Sequence, residues 1–535
     1  MQLRALGVGA LAAVALLAGA APAQTGRGND TSSKLRKAVT VPGIRVHQAA
    51  FNLAALATGG NRLAGTKGHE YSADYVALRA RLAGLQVSRQ DFDYDLYYLG
   101  DWKPPVLDVK RGKHYIPEIF GSLPGLGDFG TQIDSASGDV TGPLWAADIT
   151  LPAPEADASD SACEMEDFAG MPQGAIVLMQ VGGCNDFTKY LNAQAAGAGA
   201  TIFFNEGSPG NTDPPVYLFT GAPITSPSLT AQIDTAEELL GGVRQGLVGK
   251  TVRVRSEIRT GMTPTENVIA ETRGGDPNKV VVVGAHLDSV GVGPGSNDNG
   301  SGSAAILEMA EQLRGVYPKN KIRFVWFSAE ESGLLGSEAY VASLSPEERS
   351  KIAAMLNFDM IGSPNFVNFV YDGDLSDSPP IDEVTFAPEA RPFSATIEQI
   401  FLDYFREQRV PTEPTAFDGR SDYGPFIAAG AGIPAGGLFT GAEVLKTPEE
   451  ARIFGGTAGE PFDPCYHLGC DDFFNNSNRA LDVNADAAAH ALITLAQMKI
   501  PDRAPSTAAA PLAQRRAAVA APPFGLPTPE RITDQ

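Results

Sequence analysis

From about residue 267 the chain alternates short β-branched or aromatic runs with longer stretches of helical spacing. Residues 280–283 are four consecutive valines, as expected of a strand covered on both faces. The spacing predicts a helix over 303–313, a second buried strand over 322–327, a helix over 334–344 and a strand over 355–358. Further helices are expected over 396–409 and from about 480 to 498. This β–α–β–α order predicts an α/β fold with a mostly parallel (mixed) central sheet flanked by helices.

The N-terminal half reads differently. A helical pattern spans 46–56, and another spans 72–85 with Tyr75, Val76, Leu78, Leu82 and Leu85 near helical spacing. Between 101 and 258 the chain is rich in Gly and Pro and carries short β-type runs at 175–179 and 200–204 with helices between them. We read 106–259 as an inserted β-rich α+β domain dividing one fold into 24–105 and 260–500. Beyond 501 an Ala- and Pro-rich stretch with few large apolar residues is expected to be a disordered tail, 501–535.

Composition narrows the function. A chain of 535 residues should hold two or three domains, and 43% hydrophobic residues exclude wholesale disorder. A formal charge of −22 argues against nucleic acid, whose phosphates would be repelled. Arg4, an apolar run over 5–20 and then Ala21-Pro22-Ala23 have the order of a secretory signal peptide, 1–23. A membrane anchor is the alternative, but the run is short and no second one follows. The expectation is an exported protein, periplasmic or extracellular, without a membrane span after cleavage, and a monomer or small oligomer. The four cysteines suit an oxidising compartment, and the local pairs Cys163–Cys184 and Cys465–Cys470 are expected as disulfides. The alternative, a thiolate zinc site, finds no finger-like spacing in either pair.

The chemistry gathers at strand ends. The first strand runs into His286-Leu287-Asp288, the second into Glu330-Glu331 and the third into Asp359. Three strands of one parallel sheet thus deliver metal-type ligands where open α/β sheets place their sites. Between them Asp298 sits on a glycine-rich turn leading into a helix; alone it would read as a helix cap, and beside the others it reads as a carboxylate bridging two metals. His467, between Cys465 and Cys470, completes a set of nitrogen and oxygen donors. Such a set suits zinc, and two ions about 3.5–4 Å apart are typical of aminopeptidases. Asp288 is expected to orient His286 from behind. Of the adjacent glutamates, Glu331 is assigned to metal and Glu330 to general base.

These residues resemble the M28 family of zinc peptidases: a His-x-Asp, an Asn-Asp-x-Gly-like turn, a Glu-Glu pair, an Asp and a late His, in that order over 280–498. The resemblance implies a zinc-exopeptidase fold and two Zn2+ ions per chain. His286 and Asp359 would hold one ion, Glu331 and His467 the other, with Asp298 shared and often followed by a cis peptide, here Asp298-Asn299. Cys465-Tyr466-His467 and the segment from Asp418 through Arg420 to Pro425 are similar to the secreted Streptomyces-type aminopeptidases. That likeness implies that Tyr466 steadies the oxyanion and that Glu330, Asp359 and Arg420 surround the free α-amine of a peptide substrate. It also implies a pocket for large apolar N-terminal residues. The insertion resembles a protease-associated (PA) domain through the strand beginning at Gly174, through Gly182-Gly183-Cys184, and through Ala195 to Ala198. Rival readings are a carboxypeptidase or dipeptidase of the same family, a glutaminyl cyclase, and a receptor-like ectodomain that has lost catalysis.

Overall fold

The computed structural model describes residues 28–503 except for 99–104, 118–126, 133–134, 152, 154–158, 206, 208–223, 258 and 379–384. The expected signal peptide and nearly all of the expected tail lie outside the described residues. Two compact units emerge, one from residues up to 94 and from 262 onward, the other from 95–261.

The first unit opens with helices Ser32–Ala38, Val41–Leu56 and Lys67–Leu82. The latter two begin upstream of their apolar pattern because threonines cap them. Thr40 accepts from the Gly43 N–H at 3.2 Å, and Thr66 from the His69 N–H at 3.5 Å. Strand β1 (Gln86–Tyr98) follows, and its polar alternation gave no clear strand signal.

The inserted unit holds β2 (Val106–Val109), β3 (Phe129–Thr131), β4 (Gly138–Ala146), β5 (Ile176–Gln180), β6 (Ala200–Phe204), β7 (Ser228–Ala231) and β8 (Gly246–Ser256). They form one sheet in the order β2-β8-β4-β5-β6-β7-β3, in which β4 to β7 are mutually parallel. Helix Asp186–Ala195 links β5 to β6, and every residue of both strands is buried.

The chain returns to the first unit through β9 (Arg259–Glu271), β10 (Asp276–His286), β11 (Asn320–Phe327), β12 (Ile352–Phe358), β13 (Phe369–Tyr371), β14 (Glu413–Thr415) and β15 (Ala435–Phe439). The sheet order is β1-β9-β11-β10-β12-β15-β13-β14. The four inner strands are parallel, while β9 and β13 run antiparallel to their inner neighbours. This is an α/β mixed sheet with helices on both faces. Alternate residues of β10 feed two apolar clusters: Val281, Val283 and Ala285 one, Val280 and Val282 the other. That is why its valines read as a continuous run.

Register decides what the strands can assemble. His286 pairs with Phe327, and Gly284 with Asn357, so β10, β11 and β12 finish level. Both expected disulfides are formed, with Cα–Cα separations of 5.9 Å for Cys163–Cys184 and 5.3 Å for Cys465–Cys470. Among the described residues no helix is long and apolar enough to cross a membrane.

Candidate active site

The level strand ends bring His286, Glu330, Glu331 and Asp359 to one place, and two loops add Asp298 and His467. Asp298 lies at the centre. Its Oδ1 is 3.2 Å from His286 Nε2, and its Oδ2 is 3.1 Å from His467 Nε2. On one side His286 Nε2 also meets Asp359 Oδ1 at 3.2 Å and Glu330 Oε2 at 3.9 Å. On the other, His467 Nε2 meets Glu331 Oε2 at 3.1 Å. The peptide Asp298-Asn299 is cis.

Local backbone makes the convergence possible. Ala329, Met360 and His467 adopt left-handed φ values of 54°, 49° and 56°, uncommon for non-glycine residues and frequent at functional turns. Asn299 caps the helix Gly300–Gln312 by accepting from the Gly302 N–H at 2.9 Å. A Cβ at Gly302 would run into the Phe358 carbonyl, so only glycine lets this helix start so close to the end of β12.

Asp288 ties two of the strand ends together. Its backbone carbonyl lies 3.2 Å from His286 Nδ1, and its carboxylate accepts from the N–H groups of Glu330 and Glu331 at 3.3 and 3.4 Å. A carbonyl can only accept, so Nδ1 carries the proton and His286 Nε2 presents a lone pair in the neutral ring. That lone pair faces the carboxylates of Asp298 and Asp359. Asp359 Oδ1 is buried without a hydrogen-bond partner. Such a juxtaposition needs a cation between the groups, either a proton or a metal ion.

With protons as the only counter-charge, ionisation is strongly displaced. Burial pulls the His286 pKa down, but Asp359 and Glu330 push it well above the ordinary value. Burial likewise opposes His467, yet Glu331 and Asp298 raise it to about 10. Burial raises Glu330 well above the usual carboxylate range despite His286, with Asp359 and Glu331 adding to the effect. Burial resists ionisation of Asp298, and hydrogen bonds from both histidines overcome it and hold its pKa low. The donor set, three carboxylates and two imidazoles without a thiolate, suits zinc.

The remaining expected residues stand nearby. The Tyr466 ring stacks on His467 with centroids 3.8 Å apart. Arg420 reaches Glu443 at 2.9 Å and the Tyr466 hydroxyl at 3.3 Å.

Sequence reasoning missed the supports. Ser421 donates to Asp359 Oδ2 at 2.5 Å and is itself held by Asn357 Nδ2 at 2.8 Å. Asp471 accepts from the N–H groups of Asn297 and Asp298 at 2.8 and 2.9 Å, joining the disulfide loop to the Asp298 turn. The wholly buried Arg62 donates to the carbonyls of Leu287 and Gly295 at 3.1 and 3.0 Å. Ser421 lies within, and Asp471 directly after, a segment singled out in the sequence; Arg62 gave no signal.

Comparison with known proteins supplies the family. The model of peptidase family M28 matches residues 267–492, and that of the PA domain matches 140–239. An aminopeptidase of Pseudomonas aeruginosa (strain UCBPP-PA14) is 45% identical over 434 residues, covering 80% of this chain and 76% of that one. A probable leucine aminopeptidase 2 of Aspergillus fumigatus is 37% identical over 440 residues, 82% of this chain and 79% of its own. Among solved structures, the zinc aminopeptidase BSAP of Bacillus subtilis superposes with a TM-score of 0.58 at 24% identity, over 87% of this chain and 98% of its own. Likeness of that extent over four fifths of the sequence makes this chain an enzyme of peptidase family M28 with a PA domain set into it.

Proposed function

We propose that the chain is an exported zinc aminopeptidase that holds two metal ions and removes the N-terminal residue of peptides. The single observation that carries this reading is the position of Asp298, with one carboxylate oxygen against each imidazole. His286, Asp298 and Asp359 would hold one ion, and Asp298, Glu331 and His467 the other. Ions held there would polarise a carbonyl and acidify water.

The chain's own residues account for the rest. Glu330, buried and with its pKa pushed up, takes a proton from the attacking water and returns it to the leaving amine. Tyr466 donates its O–H to the oxyanion that develops as the carbonyl becomes tetrahedral. The carboxylates of Glu330 and Asp359 face the same space and suit the substrate's α-ammonium. The relatives named leucine aminopeptidase favour a large apolar N-terminal residue here too. Arg420 is neutralised by Glu443, which disfavours a C-terminal carboxylate as its partner and with it a carboxypeptidase. All five proposed ligands and the base are present, which disfavours a receptor-like ectodomain. Two formed disulfides support export into an oxidising compartment.

The test is release of p-nitroaniline from leucine p-nitroanilide with and without a chelator, against the N-acetylated analogue. The expected result is cleavage that stops on chelation, returns with zinc and requires the free amine. Cleavage of the N-acetylated substrate at a comparable rate would reject the aminopeptidase reading.

A further inference from the structure

The likeness to secreted aminopeptidases implies that Arg420 stands with Glu330 and Asp359 around the substrate's α-amine; in the structure its guanidinium contacts Glu443 and Tyr466. Nη1 lies 2.9 Å from Glu443 Oε1, and Nη2 lies 3.3 Å from the Tyr466 hydroxyl oxygen. Its backbone N–H is held by Asp418 Oδ1 at 3.0 Å, and the same oxygen accepts from the Tyr423 hydroxyl at 2.7 Å. The side chain therefore starts from an anchored turn. A guanidinium beside an α-ammonium would also repel it, since both are cations.

Donor counting gives the contact a direction. Guanidinium groups only donate, so the Tyr466 oxygen is the acceptor at this contact. A phenol has one proton, and that proton is left for another partner. The ring itself cannot turn freely, because it stacks on His467 at 3.8 Å and 24° inside the Cys465–Cys470 loop. The Arg420–Glu443 pair is half exposed, with side chains 49% and 43% accessible, and such pairs contribute little to stability. Its contribution is orientation.

We propose that Arg420, held by Glu443, is a positioning residue that occupies the acceptor side of the Tyr466 hydroxyl and so presents its proton to the developing oxyanion. This rests on the reading of Tyr466 as oxyanion donor.

The experiment is a double-mutant cycle on the zinc-loaded full chain, with zinc content and circular dichroism checked for each variant. Tyr466→Phe should lower kcat about 10²–10³-fold, the loss typical of one oxyanion donor. Arg420→Met should lower kcat about tenfold with KM for leucine p-nitroanilide unchanged, as for one misaligned hydrogen bond. Arg420→Lys should recover part of that loss, and Glu443→Gln should cost less than Arg420→Met. The double variant Arg420→Met/Tyr466→Phe should be no slower than Tyr466→Phe alone. Multiplicative losses in the double variant, or an Arg420→Met effect confined to KM, would overturn the positioning role while leaving Tyr466 in place. Full turnover by Tyr466→Phe would overturn the oxyanion reading itself and the inference with it.

Discussion

The two sheets of this chain both contain parallel strands buried at their carboxyl ends, yet those strands finish in opposite ways. In the inserted unit β5 ends on Gln180, whose amide closes on its neighbours. It accepts from the Thr150 N–H at 2.9 Å and the Ser159 hydroxyl at 3.0 Å, and donates to the Thr150 carbonyl at 2.7 Å. In the peptidase unit β10, β11 and β12 end on or run into His286, Glu330, Glu331 and Asp359, and these charges converge instead of being neutralised locally. A satisfied neutral amide contributes to stability. Converging buried carboxylates oppose folding unless a cation joins them. The difference teaches that one strand arrangement serves as scaffold or as reactive centre according to what stands at the carboxyl ends.

The sharpest way to break this contrast is to exchange the chemistry. Glu330→Gln puts into the peptidase sheet the amide that the inserted sheet uses. Turnover should fall about 10²–10⁴-fold with metal content unchanged, as for loss of a general base. Gln180→Ala should instead leave turnover of leucine p-nitroanilide intact and lower stability by about 1–3 kcal/mol, measured by thermal melting. Near-full activity of Glu330→Gln would place the base elsewhere.

The two disulfides sharpen the same comparison with a smaller effect. Cys163 and Cys184 are 21 residues apart, so replacing both by Ser should cost about 3 kcal/mol through the freed chain, with turnover on the small anilide preserved. Cys465 and Cys470 are only 5 apart, and their loop carries Tyr466 and His467. Serines there should weaken zinc affinity and turnover about 10–100-fold, as loss of a ligand's support does. Competition with a chromophoric chelator separates the cases, and identical behaviour of the two pairs would remove the distinction.

The smallest effect is in protons. In the metal-free chain the His467 pKa stands at about 10 against an ordinary 6.5, and that of His286 is also raised. The stabilisation from a charged His467 is complete below about pH 6.5 and is lost as pH rises through about 10. A metal competes with those protons, so zinc uptake near neutral pH should release protons and strengthen as pH rises across that window. A titration in weakly buffered solution reads this directly; uptake without acidification would contradict the proposed ligand set.

Much of the fold was legible where patterns are strong. The valines of β10 and the apolar run of β11 announced buried strands, and helix Arg391–Gln408 followed its spacing. Strand β15 was not legible, because Ala-Gly-Gly-Leu-Phe offers little side chain to pattern and glycine is a poor strand residue. Helix Pro346–Lys351 also escaped notice: it buries no residue and depends on the capping box of Ser345 and Glu348.

The sequence by itself determined the inventory: an α/β core with an inserted domain, and histidines and carboxylates at the ends of successive strands. Those are local facts, written in periodicity and in which residue follows each strand. Only the tertiary structure decided their meeting. The register that levels β10, β11 and β12, the bonds of Asp471 to the Asp298 turn, and the buried Arg62 under that turn join residues far apart in the chain. It also turned Arg420 toward Tyr466 and Glu443. Side-chain direction in a packed site depends on neighbours from other segments, and no local pattern encodes it.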